Sequence, residues 1–571
     1  MKRENSWIFG VYSKAIISNE KLNEIENLLP QTSLKSINPN CSIYFASGKN
    51  TFYNLNSKWI INGVGLLDTG SKYKLMSQED WENYFVKPES FNLSGHFLKI
   101  HWSDSRLTIT NDKLGLKTIF YFEVSNEVYF STNLKLLLRF LPNSEINLTA
   151  FGSKWLLFNP LNYNSFIQRI KKLLPNSELS IVYGKIKVKS EEYVFELNKY
   201  TTDQFFSELN KLVNIEIQEN YKISFGLSGG LDSRLLLALF YTSKRDFDIH
   251  SFGFGYEADV EIASELAKKL NLKHNILVSD LNDKSLIDSI PDYISNNELA
   301  EPASTYLRLY KLNDEYFNNK IMLDGANGEI YRRQFLNRLY YAGKSSISNK
   351  NVDKIFSALN FNRADIFKND IKQVLFDGAR NEISERLNKM PDVNTIGFEN
   401  YLDLLNIKTR FINYFGPEQM RLDSFITSLM PYINDNILKN VFGLSLKGKR
   451  NSKIYIDYLR KIGGAFTSTS LVKGDITYPF GLSKIQVAFY TKIKNRFKRS
   501  SQKSPIVEFY YYQRDYIKNI LLDKSTLDYH LYDKRKIEKI VNDFYSGNRS
   551  KVKDLDWLVS FELFRRELKL Q

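Results

Sequence analysis

Residues 221–242 read YKISFGLSGGLDSRLLLALFYT. A short apolar run through Ile223, Phe225 and Leu227 ends in a turn of small residues, Ser228-Gly229-Gly230, and a helix-like apolar run follows Asp232-Ser233. The pattern predicts strand, tight turn, helix. Glycines let backbone N–H groups approach an anion and tolerate positive φ. A helix start adds unpaired N–H donors at the positive end of its dipole, and Ser228 and Ser233 add hydroxyls. A carboxylate at Asp232 would repel a phosphate held there unless a divalent cation stood between them, so Asp232 reads as a magnesium ligand.

The stretch resembles the PP-loop, SGGxDS, of the ATP pyrophosphatases. No GxxxxGK[ST] loop, which would set a lysine on the β- and γ-phosphates, occurs in the chain. The resemblance implies ATP as cofactor, cleavage between its α- and β-phosphates, pyrophosphate as leaving group and an adenylate as product. The nucleotide-binding set it implies is Leu227, Ser228, Gly229, Gly230, Asp232 and Ser233. A glycine-rich turn that binds nothing is the plainer alternative.

Composition bounds the rest. At 571 residues and 43% hydrophobic content the chain is long enough for two or more packed domains. A single cysteine, Cys41, excludes an internal disulfide framework and cysteine-based zinc sites, and five scattered histidines make no metal cluster. The start, MKRENSWIFGVYSK, lacks the apolar run of a signal peptide. No stretch reaches the roughly 18 apolar residues of a membrane span, so a cytoplasmic chain without membrane contact is expected. The net charge of +15 would suit a polyanion, but the lysines are spread. The densest basic run, Lys492–Lys498 with Arg499 and Lys503 behind it, reads equally well as a solvated helix face.

Upstream of the PP-loop, residues 1–198 read as a layered antiparallel β domain. Apolar runs at Trp7–Tyr12, Ser42–Ala46, Trp59–Leu67, Phe97–Trp102, Leu107–Thr110, Thr118–Phe122 and Val128–Ser131 alternate with turn residues. Within it, GHFLKIHWSDSRLTITNDKLGLKTIFYF and VYFSTNLKLLL resemble the end of the glutaminase domain of class II amidotransferases. Asp112, Gly115, Lys117, Phe120, Tyr121 and Ser131 fall on its DRxGxKPLYY-like and SEIKALL-like patterns, and Ile170–Pro175 resembles the I-x-x-L-P-P-G stretch that closes the domain. The resemblance is to the asparagine synthetase family and implies an Ntn-hydrolase-like front domain. That family's glutaminase uses a cysteine exposed as the mature N-terminus. Here the chain begins Met1-Lys2-Arg3 and its cysteine is internal, without the α-amino group that serves as base. No glutamine hydrolysis is expected, and the resemblance narrows to the cysteine-less members, β-lactam synthetase and the lasso-peptide cyclases.

Downstream, residues 199–500 read as a parallel-sheet PP-loop domain of the adenine nucleotide α-hydrolase type. Residues 201–220 have helical spacing. Ile249–Gly255 and His274–Val278 are apolar runs separated by an amphipathic Ala258–Leu270, a strand–helix alternation typical of a sheet covered on both faces. Ligands of such sheets bind at the carboxyl ends of strands. The family resemblance continues through FGFG at 252–255, where Gly253 would leave room for adenine. His274 also falls on the pattern and reads as structural. IMLDGANGEIY at 321–331 resembles the SGEGSDELF segment, with Gly325 on its first glycine and Glu329 on the aspartate that completes the magnesium site. The family's acidic position falls on Ala326, so either the base comes from elsewhere, with Glu329, Glu301 and Glu418 as acidic candidates, or the nucleophile is already neutral at working pH. Asn406–Asn413, Arg421 and Pro431-Tyr432-x-x-Asp435 resemble the stretch that covers one side of the cleft, and Lys473 falls on a lysine that stabilises developing charge. Residues 501–571 read as a helical C-terminal extension.

The expected activity is an ATP- and magnesium-dependent amide synthetase. A substrate carboxylate, on a small molecule or a peptide, is adenylated and then transferred to an amine or ammonia, with Lys473 and Glu329 as catalytic residues. A biosynthetic partner protein is conceivable; nucleic acid is not expected. Alternatives are a macrolactam cyclase of the lasso-peptide kind, an enzyme that adenylates RNA bases, and a nucleotide-binding scaffold whose cleft has decayed at Ala326. Arg234, where authentic asparagine synthetases often carry Ser or Ala, speaks mildly against primary asparagine synthesis.

Overall fold

Apolar residues at successive rather than alternate positions build the front half, because its central strands are buried on both faces. In the strand Trp7–Ser13, Trp7, Phe9 and Val11 face one core and Ile8 faces another. The computed structural model describes the chain apart from residues 1–5, 14–16, 31, 33, 39–41, 104, 142, 183, 192–199, 310–314, 333–336, 362 and 498–503. Cys41, the N-terminal Met1-Lys2-Arg3, the expected boundary near 198 and Lys498, Arg499 and Lys503 lie outside the described residues.

One antiparallel sheet runs in the order Lys171–Lys172, Phe120–Val124, Glu127–Ser131, Trp7–Ser13, Ser42–Ser47, Leu34–Asn38. The second runs Lys185–Ser190, Ser177–Val182, Arg106–Asn111, Leu93–Trp102, Trp59–Asp68, Thr51–Asn54, with Tyr73–Leu75 also on Trp59–Asp68. Ile8, Tyr44 and Phe130 from the first meet Ile60, Leu98, Ile109 and Ile181 from the second in one shared core, the layered arrangement read from the sequence. The DKLGLK turn has a structural role. Asp112 accepts the backbone N–H groups of Leu114, Leu116 and Lys117 at 3.0, 3.1 and 2.7 Å. Gly115 adopts φ 66° with its Cα against Pro175, where a side chain would crowd the ring.

Helix α1 (Leu148–Leu156) and helix α2 (Thr202–Val213) lead to the second half. Thr201 and Gln204 cap α2 reciprocally. There follow β1 (Lys222–Gly226), α3 (Leu231–Ser243), β2 (Asp248–Phe252), α4 (Ala258–Lys269), β3 (His274–Leu277) and β4 (Lys320–Leu323). Next come α5 (Asn369–Asn388) and α6 (Phe398–Arg410), the latter continued by a π-helical turn, Phe411–Phe415. Then follow α7 (Gly416–Asp423), β5 (Thr427–Leu429) and the hairpin β6 (Leu471–Lys473)–β7 (Ile476–Tyr478). Strands β3-β2-β1-β4-β5 form one sheet, parallel throughout. The chain winds from β1 to β2 and β3 on one side and returns to β4 on the other. The order therefore reverses at β1, and the crevice for a ligand opens above the carboxyl ends of β1 and β4.

The last helices are not an appendage. In α8 (Val552–Glu567) every residue from Leu555 to Phe564 is buried, and Trp557 and Phe561 share a core with Trp7, Phe9 and Trp155 of the front half. Its buried polar groups are paired: Asp556 accepts from Ser304 N at 3.0 Å and Tyr510 Oη at 2.6 Å, and Ser560 Oγ accepts from Ala303 N at 2.7 Å. Among the described residues no helix is long and apolar enough to cross a membrane.

Candidate active site

The loop Leu227–Gly230 joins β1 to α3 above the sheet. Its backbone donors are turned onto side-chain oxygens: Ser228 N to Ser233 Oγ at 3.2 Å, Gly229 N to Asp259 Oδ1 at 3.0 Å, Gly230 N to Ser228 Oγ at 3.2 Å. The two serine hydroxyls are 2.9 Å apart. Leu227 anchors the loop from below. Its side chain is buried, its N–H donates to His250 O at 2.8 Å, and its carbonyl accepts from Ser251 Oγ. Asp259 stands where an incoming anion would compete for the Gly229 amide, and burial raises its carboxyl above the usual carboxylate range.

Asp232 lies in the first turn of α3. One carboxylate oxygen accepts from the guanidinium of Arg332. The other, Oδ1, is buried with no hydrogen-bond partner among the described residues. Burial pushes this carboxyl up to about 6; Arg332 pulls it down, and Glu329 pushes it further up. A buried carboxylate oxygen left unpaired is costly and fits a cation ligand. Gly328 makes the geometry feasible, since a Cβ there would lie 2.5 Å from Asp232 Oδ1. Gly325 makes the same close approach to Ser233, whose N would lie 3.2 Å from its Cβ. Two buried tyrosines lock the pair of loops together: Tyr432 Oη donates to Asp232 O and Tyr455 Oη to Gly328 O, each at 3.0 Å. Asn327, between Ala326 and Gly328, is 2% exposed at φ 67°, and neither side-chain polar atom has a partner among the described residues.

The far wall is acidic. Tyr414, on the π-helical turn, donates to Glu301, and the Arg410 guanidinium lies 3.7 Å from the Tyr414 ring centroid. Burial holds the Glu301 carboxyl above the usual range, opposed by Tyr414 and Arg410. Arg421 grips Glu418 with both arms, Nε to Oε2 at 3.0 Å and Nη2 to Oε1 at 2.5 Å. Asp324, at the end of β4, is pushed up to about 6 by burial and by Glu418. Half-buried Glu329 follows Gly328 in a 3₁₀ turn.

The β6–β7 hairpin closes over the loop. Val472 N donates to Gly229 O at 3.1 Å, and a side chain at Gly229 would run into Val472. Lys473, one residue on, is exposed. Arg234 explains its own presence. Fully buried in α3, it donates to the carbonyls of Phe466, Thr469 and Ser470 at 3.2, 2.7 and 2.5 Å, tying the helix to the segment that carries the hairpin. Its identity is thus accounted for by packing.

Gly253 follows β2 with φ 135°. A Cβ there would collide with the carboxylate of Glu257, which accepts from Phe254 N at 2.7 Å. That carboxylate lies on the side of Gly253 from which a side chain would project. His274 bonds Ser251 at 2.8 Å and Ser264 at 3.0 Å within the wall, as its structural reading expects. The structure therefore gathers Ser228–Ser233, Gly325 and Glu329 about one crevice and leaves Lys473 on its rim. Tyr432 lies in the stretch read as covering the cleft, whereas Arg332, Asn327, Gly328 and Tyr455 were missed. The glycine after Asn327 was the one legible signal among them.

Residues 205–326 match the sequence model of the asparagine synthase family. The tRNA(Ile)-lysidine synthase of Clostridioides difficile (strain 630) is 27% identical over 331 residues, 56% of this chain and 63% of that protein. The glutamine-hydrolyzing asparagine synthetase 1 of Bacillus subtilis (strain 168) is 23% identical over 241 residues, 39% of this chain and 37% of that protein. The chain thus spans less than two thirds of the length of either relative. A solved structure described as the allosteric regulatory enzyme of purine biosynthesis aligns with 59% of this chain and 72% of its own at 9% identity and a TM-score of 0.18, a likeness that carries no argument.

Proposed function

The chain belongs to the asparagine synthetase family through residues 205–326, and on that premise we propose that it is an ATP-dependent synthetase that activates a carboxylate as its adenylate and joins it to an amine. The observation that carries this reading is the unpaired, buried Oδ1 of Asp232 beside an anion loop at a strand–helix junction.

A carboxylate oxygen attacks the α-phosphorus; the bond to the β-phosphate oxygen breaks and pyrophosphate leaves. The amides of Ser228, Gly229 and Gly230 and the hydroxyls of Ser228 and Ser233 hold the leaving pyrophosphate, after releasing their present partners. Asp232 and Glu329 would hold the magnesium ion, which when bound neutralises charge on the phosphates. Lys473, on the hairpin seated against Gly229, offsets charge that develops on the adenylate. The amine nitrogen then attacks the acyl carbon, AMP departs, and the amine's proton passes to a carboxylate. We assign that role to Glu301, whose raised carboxyl lies in the same wall as Arg410 and Tyr414. In this proposal the front sheets are a glutaminase-like, Ntn-hydrolase-like scaffold. The amine is free ammonia, a separate substrate or a group on the same molecule, and in that last case the enzyme is a macrolactam cyclase.

A second reading, adenylation of an RNA base, is favoured by the similarity to the C. difficile lysidine synthase and by the net charge of +15. Hydroxylamine trapping separates the two. Purified protein is given ATP, magnesium and pooled cell extract, with and without ribonuclease. A hydroxamate formed with AMP and insensitive to ribonuclease supports carboxylate activation; AMP release that ribonuclease abolishes, without hydroxamate, overturns it.

A further inference from the structure

A second cavity of about 530 Å³ opens between the front sheets and helices α5 and α6. It shares no lining residue with the crevice at Asp232. Its floor is apolar: Leu114, Ile407 and Ile412 are all buried and line it. Its volume lies in the range of small-molecule sites.

The charges around it are unbalanced. Lys113, Arg386, Lys389 and Lys408 line it, against Glu191 and Glu385. Each carboxylate is already engaged. Glu385 accepts from Asn162 Nδ2 at 2.6 Å, and Glu191 pairs with Lys189 at 2.6 Å. Lys113 is likewise engaged, 3.0 Å from Asp435. Arg386 is 5% exposed and fixed in place, with its Nε donating to Leu161 O at 2.7 Å and its guanidinium 4.8 Å from the Tyr163 ring centroid. Asn162 is held at the wall from three sides. Its carbonyl accepts from Asn413 Nδ2 at 3.0 Å, its N–H reaches Glu382, and its side chain binds Glu385. The result is a cationic, apolar-floored hollow built on the buried, fixed Arg386, with half-buried Lys408 and exposed Lys389 beside it.

We propose that this cavity binds a small organic anion, a carboxylate or a phosphate ester on an apolar body. The anionic group meets Arg386, Lys389 and Lys408, and the apolar body lies on Leu114, Ile407 and Ile412. A planar, weakly hydrated guanidinium fixed by its neighbours suits such a group. The ligand is a second molecule, distinct from the substrates of the Asp232 crevice. At 100° per residue, Lys408 and Arg410 lie about 160° apart around α6, so one helix and its π-helical turn form a wall of both sites. The proposal stands on this cavity alone and does not require the activity proposed above.

Calorimetric titration of the full chain tests it with four probes of one shape: 3-phenylpropionate, 2-phenylethyl phosphate, 3-phenylpropionamide and 3-phenylpropylamine. At least one of the two anions is expected to bind, and the amide and the amine at least about tenfold more weakly. Binding of the carboxylate alone or of the phosphate alone supports the proposal and names the anionic group. Lys389→Glu, at an exposed position that leaves folding intact, and Lys408→Met should each weaken the anion about tenfold or more, whereas Asp232→Ala should leave it unchanged. Failure of both anions to bind by about 10 mM, equal binding of the amide, indifference to Lys389→Glu, or loss in Asp232→Ala would each overturn it.

Discussion

At the scale of single residues, the account rests on how little space surrounds Asp232. Gly328→Ala places a methyl 2.5 Å from Oδ1, so either the loop or the carboxylate must move. The expected outcome is a stability loss of about 1–3 kcal/mol and a fall in AMP formation of about 100-fold, read by urea unfolding and by turnover of the same preparation. Asn327 sits at φ 67°, a region open to Gly and Asn and closed to β-branched residues. Asn327→Gly should therefore fold as the parent does, and Asn327→Val should cost more than about 1 kcal/mol; equal stability of the two would contradict the backbone assignment. Asp324, raised to about 6 from an ordinary 3.8, binds its proton more tightly folded than unfolded. Its ionisation thus opposes folding, and the stability it contributes when protonated is lost as pH rises through about 6. Asp324→Asn should gain about 1–2 kcal/mol at about pH 8 and nothing at about pH 4. The residues found from sequence were those with a motif spacing, Ser228 to Ser233. Arg332 was not legible. It reaches Asp232 from a hundred positions away, and only the 3₁₀ turn after Gly328 aims it there.

At the scale of elements, Arg234 links α3 to the hairpin that carries Lys473. Arg234→Met leaves three carbonyls without their donors, with an expected cost of about 2–4 kcal/mol. Faster hydrogen exchange should then be confined to residues 466–478, with the front sheets unaffected; unchanged exchange in the hairpin would refute the link. The strands named from sequence were legible because apolar runs bounded by turns are a local signal, whereas Leu34–Asn38, Ser177–Val182, Lys185–Ser190 and Thr427–Leu429 were not read. The π-helical turn was not. Phe411–Phe415 reads as ordinary helix, and the insertion that swings Tyr414 toward Glu301 is set by tertiary packing. The close approach of α1 to α5 was equally hidden. Gly152 meets the backbone at Leu375 and Gly378 the backbone at Thr149, and nothing in either helix's own sequence shows the partner.

At the scale of the whole molecule, the front half is fastened to the second half by buried charge. Lys117 Nζ lies 3.7 Å from Asp423 Oδ2, and His96 Nε2 lies 3.2 Å from Oδ1 of the same aspartate, with Lys117 and Asp423 almost fully buried. Lys117, one of the residues that resemble a glutaminase signature, thus serves here in the joint between the two halves. Lys117→Met should cost about 3–5 kcal/mol by stranding Asp423, and the double variant Lys117→Met, Asp423→Leu less than the sum of the singles. The C-terminal helices, read from sequence as an extension, complete the front core and brace Ser304 next to Glu301. Long-range burial of that kind leaves no local mark: α8 is buried on all sides from Leu555 to Phe564, with Asp556 and Glu562 among the buried residues. The most direct test of the central claim follows the phosphates of ATP labelled at its α- or γ-phosphorus during turnover with cell extract. The account predicts α-label in AMP and γ-label in pyrophosphate, both abolished by Asp232→Ala in a protein that still unfolds cooperatively. γ-Label in inorganic phosphate with α-label in ADP, or AMP formation undiminished in Asp232→Ala, would contradict it.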